Sequence, residues 1–181
     1  MKYFKKLVGK KVYLSPMSLD DAEIYAKWLN DFEVTDGLGS SSRITTVEME
    51  KDWLDSVLKK GEYNFAIIDL ETDILLGSCG FNRLDSVRRT GTVGIFIGEK
   101  DNRGKGIGTE ALSLLIGFGF DYLNLHNIDL TVYSFNEGAI KCYEKVGFKK
   151  YGTRHEVYPL KGQLYDVVSM ELLEKNYRKS K

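Results

Sequence analysis

The sequence predicts an α/β domain built on a mixed, largely antiparallel sheet of six to seven strands flanked by helices. Three observations predict it. The apolar residues switch between helical and strand spacing several times along the chain. In the middle of the chain, strand-like runs follow one another across short turns, which makes antiparallel neighbours. In the second half, strands alternate with helices, which brings crossovers into the sheet.

The first strand is KKVYLSPMS, Lys10 to Ser18, with Val12 and Leu14 on one face. SLDDAEIYAKWLND then reads as a helix. Ser18 is its N-cap, and Asp20 and Asp21 sit at the positive end of its dipole. Leu19, Ala22, Tyr25, Ala26 and Leu29 recur at helical spacing. DFEVTDGLGSSSRIT is polar and contains glycine, so it reads as a loop or a short broken element. TTVEMEKDWLDSVLKKG is a second helix, with Thr45 and Glu48 as its capping box and Gly61 as its stop. YNFAIID and ILLGSCGF are strands joined by the turn LETD. After the basic loop DSVRR, Thr90 to Gly98 is a third strand, and the three form an antiparallel meander. TEALSLLIGFGFDYLN is a helix and NIDLTVY a buried strand. NEGAIKCYEKV is a helix capped by Asn136 and ended by Gly147. FKKYGTRHEVY and QLYDVVSMEL are the last strands, hinged at PLKG.

A chain of 181 residues is expected to be a single domain over residues 1–181. Lys plus Arg and Asp plus Glu each number 26, so no global field draws it to nucleic acid or to an anionic membrane. The basic segments DSVRR and KNYRKSK are short and read as solvated surface. MKYFKK has no apolar run of the kind a signal peptide carries, and no stretch reaches the roughly 20 apolar residues of a membrane helix. Cys79 and Cys142 lie far apart and read as reduced thiols, which places the protein in the cytoplasm as an expectation. With His126 and His155 they match no metal-ligand spacing, so no metal is expected.

DNRGKGIGTEALSLL, Asp101 to Leu115, places Gly104, Gly106 and Gly108 at alternate positions with Arg103 and Lys105 between them. It is neither G-x-x-x-x-G-K-[ST] nor G-x-G-x-x-G. Successive N–H groups freed by glycine, followed by a helix N-terminus, can still converge on an anion, and a pyrophosphate fits such a cradle. A tight turn with solvated basic residues is the alternative.

Arg103 to Gly108 fits R-x-x-G-x-G. About thirty residues on, NEGAIKCYEKVGF fits N-x-x-A-x-x-x-Y-x-x-x-G-F through Asn136, Ala139, Tyr143, Gly147 and Phe148. The pair resembles motifs A and B of the GNAT superfamily of N-acetyltransferases, and the element order is similar over about residues 10 to 173. VYLSPMSLDDAEIYAKWLND followed by VTDGLG resembles, within it, the branch of the ribosomal-protein N-terminal acetyltransferases, which also holds enzymes acting on amino sugars and other small amines.

That resemblance implies the GNAT fold, acetyl-CoA as cosubstrate and a primary amine as acceptor. The acceptor would be a protein N-terminal α-amine or a small amine such as an amino sugar, polyamine or aminoglycoside. A non-catalytic CoA-binding module on the same fold is the competing expectation. Arg103, Gly104, Lys105, Gly106, Ile107, Gly108 and Thr109 would hold the pyrophosphate. The pantetheine would pair with the strand ending GIFIG, where Gly94 and Gly98 suggest a bulge or a close approach. The backbone N–H of Ile97 or Phe96 would meet the oxyanion, Tyr143 would protonate the leaving thiolate, and Asn136 would bond the pantetheine.

Thr92 stands where many family members carry a catalytic Glu. Either a more distant carboxylate serves through water, or Glu33, Asp36 or His155 does, or the amine arrives neutral. The last favours an α-amine, with a pKa of about 8, over a lysine or polyamine above about 10. Glu33–Thr45 and Tyr158–Tyr165 are expected to shape the acceptor side, and the C-terminal strand pair to offer a homodimer surface.

Overall fold

The computed structural model describes residues 2–179. Its strands are β1 (Leu7–Val8), β2 (Val12–Pro16), β3 (Asn64–Asp69), β4 (Leu75–Asp85), β5 (Thr90–Ile97), β6 (Asn127–Tyr133), β7 (Lys149–Leu160) and β8 (Gln163–Leu173). Its helices are α1 (Ala22–Leu29), α2 (Phe32–Leu38), α3 (Val47–Lys60), α4 (Ile107–Asp121), α5 (Glu137–Val146) and α6 (Glu174–Lys179). The strands form one sheet in the order β1-β2-β3-β4-β5-β6-β8-β7.

Strand alternation divides the core between the two faces. Val12, Leu14, Phe65 and Ile67 pack with Ala111, Leu112, Leu115 and Ile116 of α4. Their neighbours Tyr13, Ala66 and Ile68 pack on the other face with Ala22, Tyr25 and Trp28 of α1 and Leu54 and Val57 of α3. Both layers are needed because β2 and β3 are buried on both sides.

The meander holds as read: β3, β4 and β5 pair antiparallel. The strand count does not, since the described residues form eight strands rather than six to seven. The addition is β1, a two-residue strand that pairs with β2 through Leu7↔Leu14. DFEVTDGLGSSSRIT is also not simply a loop. Asp31 accepts from the Glu33 N–H at 2.9 Å, and Gly39, at φ +71°, closes the seven-residue helix α2. The cap of α3 is Thr46, whose Oγ1 accepts from the Met49 N–H at 3.2 Å. Thr45 lies outside that helix, its carbonyl accepting from Asn30 Nδ2 at 2.6 Å. The hinge at PLKG is a two-residue turn, with Lys161 at φ +51° and Gly162 at φ +80°. Part of the tail read as solvated surface belongs to α6, where Tyr177 is buried on the core; Ser180 and Lys181 lie outside the described residues.

Glu50 of α3 is 5% exposed, and burial raises its carboxyl to about 7 from an ordinary value of 4.5. The folded state therefore binds the proton more tightly than the unfolded chain. Stability from this group is full below the unfolded value, falls as pH rises towards 7, and stays low above it. Glu50→Gln is expected to stabilise the fold at pH 8 by about 2 to 3 kcal/mol and to flatten the fall between about pH 5 and 7. Urea melts at several pH values read it directly.

What positions the site is the junction of β5 and β6. Their parallel pairing covers only Thr90↔Asn127, Gly91↔Ile128 and Thr92↔Asp129. Beyond it, β5 runs on to Ile97 and β6 to Tyr133 unpaired with each other, so the sheet splays open.

Candidate active site

The splay is a cleft of about 800 Å³, walled by the free ends of β5 and β6 and by the starts of α4 and α5. Helix α2 bridges its open end. A Cβ at Gly37 would press on the Asn136 side chain and one at Gly39 on the Tyr133 hydroxyl, so these glycines let α2 lie against the β6–α5 side. On the other side, Arg103 Nη1 donates to the Glu33 carbonyl at 3.2 Å and Lys100 pairs with the Glu33 carboxylate at 2.9 Å.

The glycine loop forms the cleft's basic end. Gly104 and Gly106 sit at φ +74° and +84°, where a side chain is strained. Gly106 caps α4 without a side chain, and the first helical bond is Glu110 N–H to its carbonyl at 3.0 Å. The N–H groups of Ile107, Gly108 and Thr109 therefore precede any intrahelical acceptor. Glu110 fastens this end to the β1–β2 turn, accepting from the N–H groups of Lys10 and Lys11. The loop thus presents ordered, open donors at a helix N-terminus, which is the chemistry a pyrophosphate needs.

Arg103, Gly104, Gly106, Gly108 and Thr109 line the cleft. Lys105 does not; its carbonyl is held by Lys11 Nζ at 2.8 Å. Ile107 turns its side chain into the core, so only its backbone faces outward. The Arg103 guanidinium is spread over three carbonyls, those of Ile97 at 3.3 Å, Gly98 at 3.1 Å and Glu33 at 3.2 Å. In this arrangement it braces the end of β5 against α2.

The β5 wall supplies backbone donors. Gly98 N–H bonds the Leu76 carbonyl at 3.0 Å, on the β4 side. Strand alternation turns the Phe96 N–H the same way and the Ile97 N–H into the splay. The Phe96 ring packs edge-on to Tyr25 and Trp28 at 6.2 and 6.1 Å. Gly94 and Gly98 are explained by close approach, of the Asn82 amide and the Trp28 indole respectively.

Opposite lies α5. Asn136 caps it, its Oδ1 accepting from the Ala139 N–H at 3.2 Å. Tyr143 is 8% exposed, its ring tilted against Phe148, and its hydroxyl has no protein partner among the described residues. Burial, with a smaller contribution from Cys142, pushes its phenol up to about 12, so it is a neutral donor at physiological pH. Cys142 is half-buried, with its Sγ 3.3 Å from Thr109 Oγ1, and burial raises its thiol. Cys79 is buried in the core.

Glu33 and Asp36 line the cleft, and each is tied to a lysine. Asp36 is partly buried, which opposes ionisation, but Lys161 and Ser41, both at 2.6 Å, prevail and hold it below its ordinary value. His155 pairs with Asp166 at 3.0 Å on the exposed hairpin, outside the cleft lining. Thr92 lines the cleft. So does Asn82, the extra residue of a β4 bulge where the register shifts between Phe81 and Arg83. Tyr133 and Phe135 complete the wall, Tyr133 stacked on Tyr158 at 3.9 Å. Sequence reasoning missed Asn82, Tyr133 and Phe135. A bulge leaves no local mark, and the aromatics of VYSF read as ordinary strand residues. Among the described residues no group of three or more His, Cys, Asp or Glu is placed to hold a metal ion, and no helix is long and apolar enough to cross a membrane.

Residues 11–149 match the family model of the acetyltransferase (GNAT) domain. The chain is 33% identical over 175 residues to an uncharacterized N-acetyltransferase, p20, of Bacillus licheniformis, covering 94% of this chain and 97% of that one. It is 27% identical over 158 residues to the alpha/beta-tubulin-N-acetyltransferase 9 of Mus musculus, covering 80% of this chain and 64% of that one. The crystal structure of spermidine N-acetyltransferase from Vibrio cholerae, in complex with CoA and spermine, superposes with a TM-score of 0.84 at 20% identity, over 94% of this chain and 99% of that one. At that identity the likeness is one of fold.

Proposed function

The chain belongs to the GNAT family of acetyl-CoA-dependent N-acetyltransferases, and we propose that the amine it acetylates is a polypeptide N-terminal α-amine. One observation carries this choice of acceptor. The carboxylates lining the cleft, Glu33 and Asp36, are each engaged by a lysine, so the site favours an amine that is easily deprotonated. An α-amine, at about 8, meets that condition better than a lysine or polyamine above about 10. The name of the mouse relative speaks for a protein acceptor, and the likeness of the N-terminal third to the ribosomal-protein branch speaks for its N-terminal α-amine.

The roles follow from placement. The open N–H groups of Ile107, Gly108 and Thr109, with Gly104 and Gly106 shaping the loop, cradle the pyrophosphate. The pantetheine lies along the unpaired edge of β5 and reaches Asn136. Of the two oxyanion donors considered, Ile97 is preferred because its N–H faces the splay. Tyr143 gives its proton to the departing thiolate. Arg103 acts first as a brace and only secondarily as a phosphate contact. Both cysteines are free, in keeping with a cytoplasmic setting, and the exposed edge strand β7 is the place for a second copy to pair.

Release of free CoA, followed with peptides bearing free N-terminal Ser, Thr or Ala and with polyamines, aminoglycosides and amino sugars, tests the proposal. Turnover is expected with the peptides. Turnover confined to the small amines would overturn the α-amine assignment.

The same geometry predicts a change in acceptor affinity. Lys161, at the tip of the β7–β8 turn, reaches across the acceptor side to Asp36. A cationic acceptor entering there competes with it. Lys161→Ala is expected to lower KM for the acceptor about twofold to fivefold, with kcat unchanged, since an exposed pair is worth about 0.2 to 1 kcal/mol. Steady-state kinetics at low and high salt measure it, and the effect shrinks at high salt.

A further inference from the structure

We propose that Asp129 takes the acceptor's proton, filling from the adjacent strand the place that Thr92 leaves without a base. The assignment rests on the acetyl-transfer reading above and goes one step into its chemistry.

Thr92 and Asp129 are partners in the short parallel ladder that holds the root of the splay together. Paired residues project to the same face, on strands about 4.8 Å apart. Along β6, Ile128, Leu130 and Val132 are buried in the core. Alternation therefore sends Asp129, Thr131 and Tyr133 to the opposite face. Thr131 and Tyr133 line the cleft, as does Thr92. Asp129 does not itself line the cleft; it comes next below Thr131 on the same face and is partnered across the ladder with Thr92, which does line it.

The carboxylate is not used structurally. Its Oδ1 is buried and without a hydrogen-bond partner among the described residues. Leaving a buried acceptor unpaired costs about 1 to 3 kcal/mol, so such an atom calls for a reason. The neighbours do not supply one. Across the ladder on β8 stands Glu171, a second carboxylate. The nearby Asn127 amide donates to Glu171 Oε2 at 2.9 Å. On β4, beyond Thr92, the partner is Arg83, and on β7, beyond Glu171, it is Lys149. Neither cation reaches Asp129 Oδ1, which has no partner among the described residues. Glu33 and Asp36, by contrast, are both occupied by lysines.

The proton balance closes with the groups present. The acceptor ammonium gives one proton to Asp129 through the Thr92 hydroxyl, and the neutral nitrogen bonds to the acetyl carbon. The C–S bond breaks and the thiolate takes the Tyr143 proton. The second proton leaving nitrogen replaces that of the phenol, and Asp129 returns the first to solvent.

The test is Asp129→Asn, close to isosteric, assayed as kcat/KM against pH with the amine the wild type turns over best. The expected result is a roughly tenfold loss near pH 7 that shrinks as pH rises through the acceptor's own pKa, where the amine no longer needs a base. Adding Thr92→Glu in the Asp129→Asn background restores a carboxylate one strand away and recovers most of the loss. A loss equal at every pH, with no recovery in the double variant, would mean a structural role and overturn the assignment. So would an unchanged rate and pH profile. A wild type silent with every amine, yet binding acetyl-CoA, would overturn the functional reading itself and this assignment with it.

Discussion

Gly106→Val is expected to weaken acetyl-CoA binding about a hundredfold while the protein stays folded. Gly106 sits at φ +84°, and a Cβ there meets only Lys11 Nζ at 3.6 Å, so crowding is not the issue. The issue is backbone conformation. Left-handed backbone costs an L-residue about 1 to 2 kcal/mol, and a β-branched one resists it most. The chain relieves that strain by rotating the peptide that starts α4. That rotation turns away the N–H groups of Ile107 and Gly108. Two hydrogen bonds to a charged group are worth about 1.5 to 3 kcal/mol each. Losing about 3 kcal/mol of their sum corresponds to the hundredfold. Gly61→Val is the control. Gly61 has φ +64° and open space around its Cβ position, and it lies at the far end of α3. It carries comparable strain but is expected to leave acetyl-CoA affinity unchanged. Calorimetric titration of both variants, beside their melting temperatures, separates cradle from fold. Normal binding by Gly106→Val would mean that the glycine loop is a turn and no more.

How much of this was legible depends on whether a feature is written locally. The sharp backbone of the glycine loop was, because Gly104 and Gly106 advertise conformations that other residues avoid. The caps Asn136 and Gly147 were, since they act within a turn of their own helix. Helix α2 was legible only in part. Asp31 and Gly39 are proper caps, but only seven residues lie between them, and they carry a glycine for contact with Asn136 rather than for a turn. The capping residue of α3 was misplaced by one because Thr45 and Thr46 offer the same chemistry, and only the Asn30 contact to Thr45 decides between them. The pairing of Thr92 with Asp129 was not legible. It is a register between strands separated by a whole helix, and register is set by packing over the sheet. The Arg103 brace was hidden for the same reason. Motif spacing counts a cation beside a phosphate loop and says nothing about the carbonyls that reach it first.

Tyr143→Phe is expected to cut turnover at least tenfold, and up to about 100-fold, with CoA affinity within a few-fold of wild type. The substitution removes one oxygen and leaves the ring against Phe148. That oxygen bonds no other protein group among the described residues, so its loss strands no buried partner and the fold should not suffer. Any loss of rate then belongs to the chemical step. The raised phenol sharpens the expectation. At about 12, Tyr143 remains protonated throughout the range in which the enzyme can be assayed, so no alkaline fall in wild-type rate below pH 10 should come from it. It also stands above a free thiol, whose pKa is about 8.5. Complete proton transfer to a relaxed thiolate would therefore run uphill. The phenol helps most while the C–S bond is breaking and the sulfur's charge is not yet solvated, where a buried, unengaged donor counts for more than one already bonded in the protein. Stopped-flow release of CoA from the wild type and from Tyr143→Phe, with acceptor saturating, isolates that step. A Tyr143→Phe enzyme that kept the wild-type rate would take the phenol out of the mechanism and leave the sulfur to draw its proton from water.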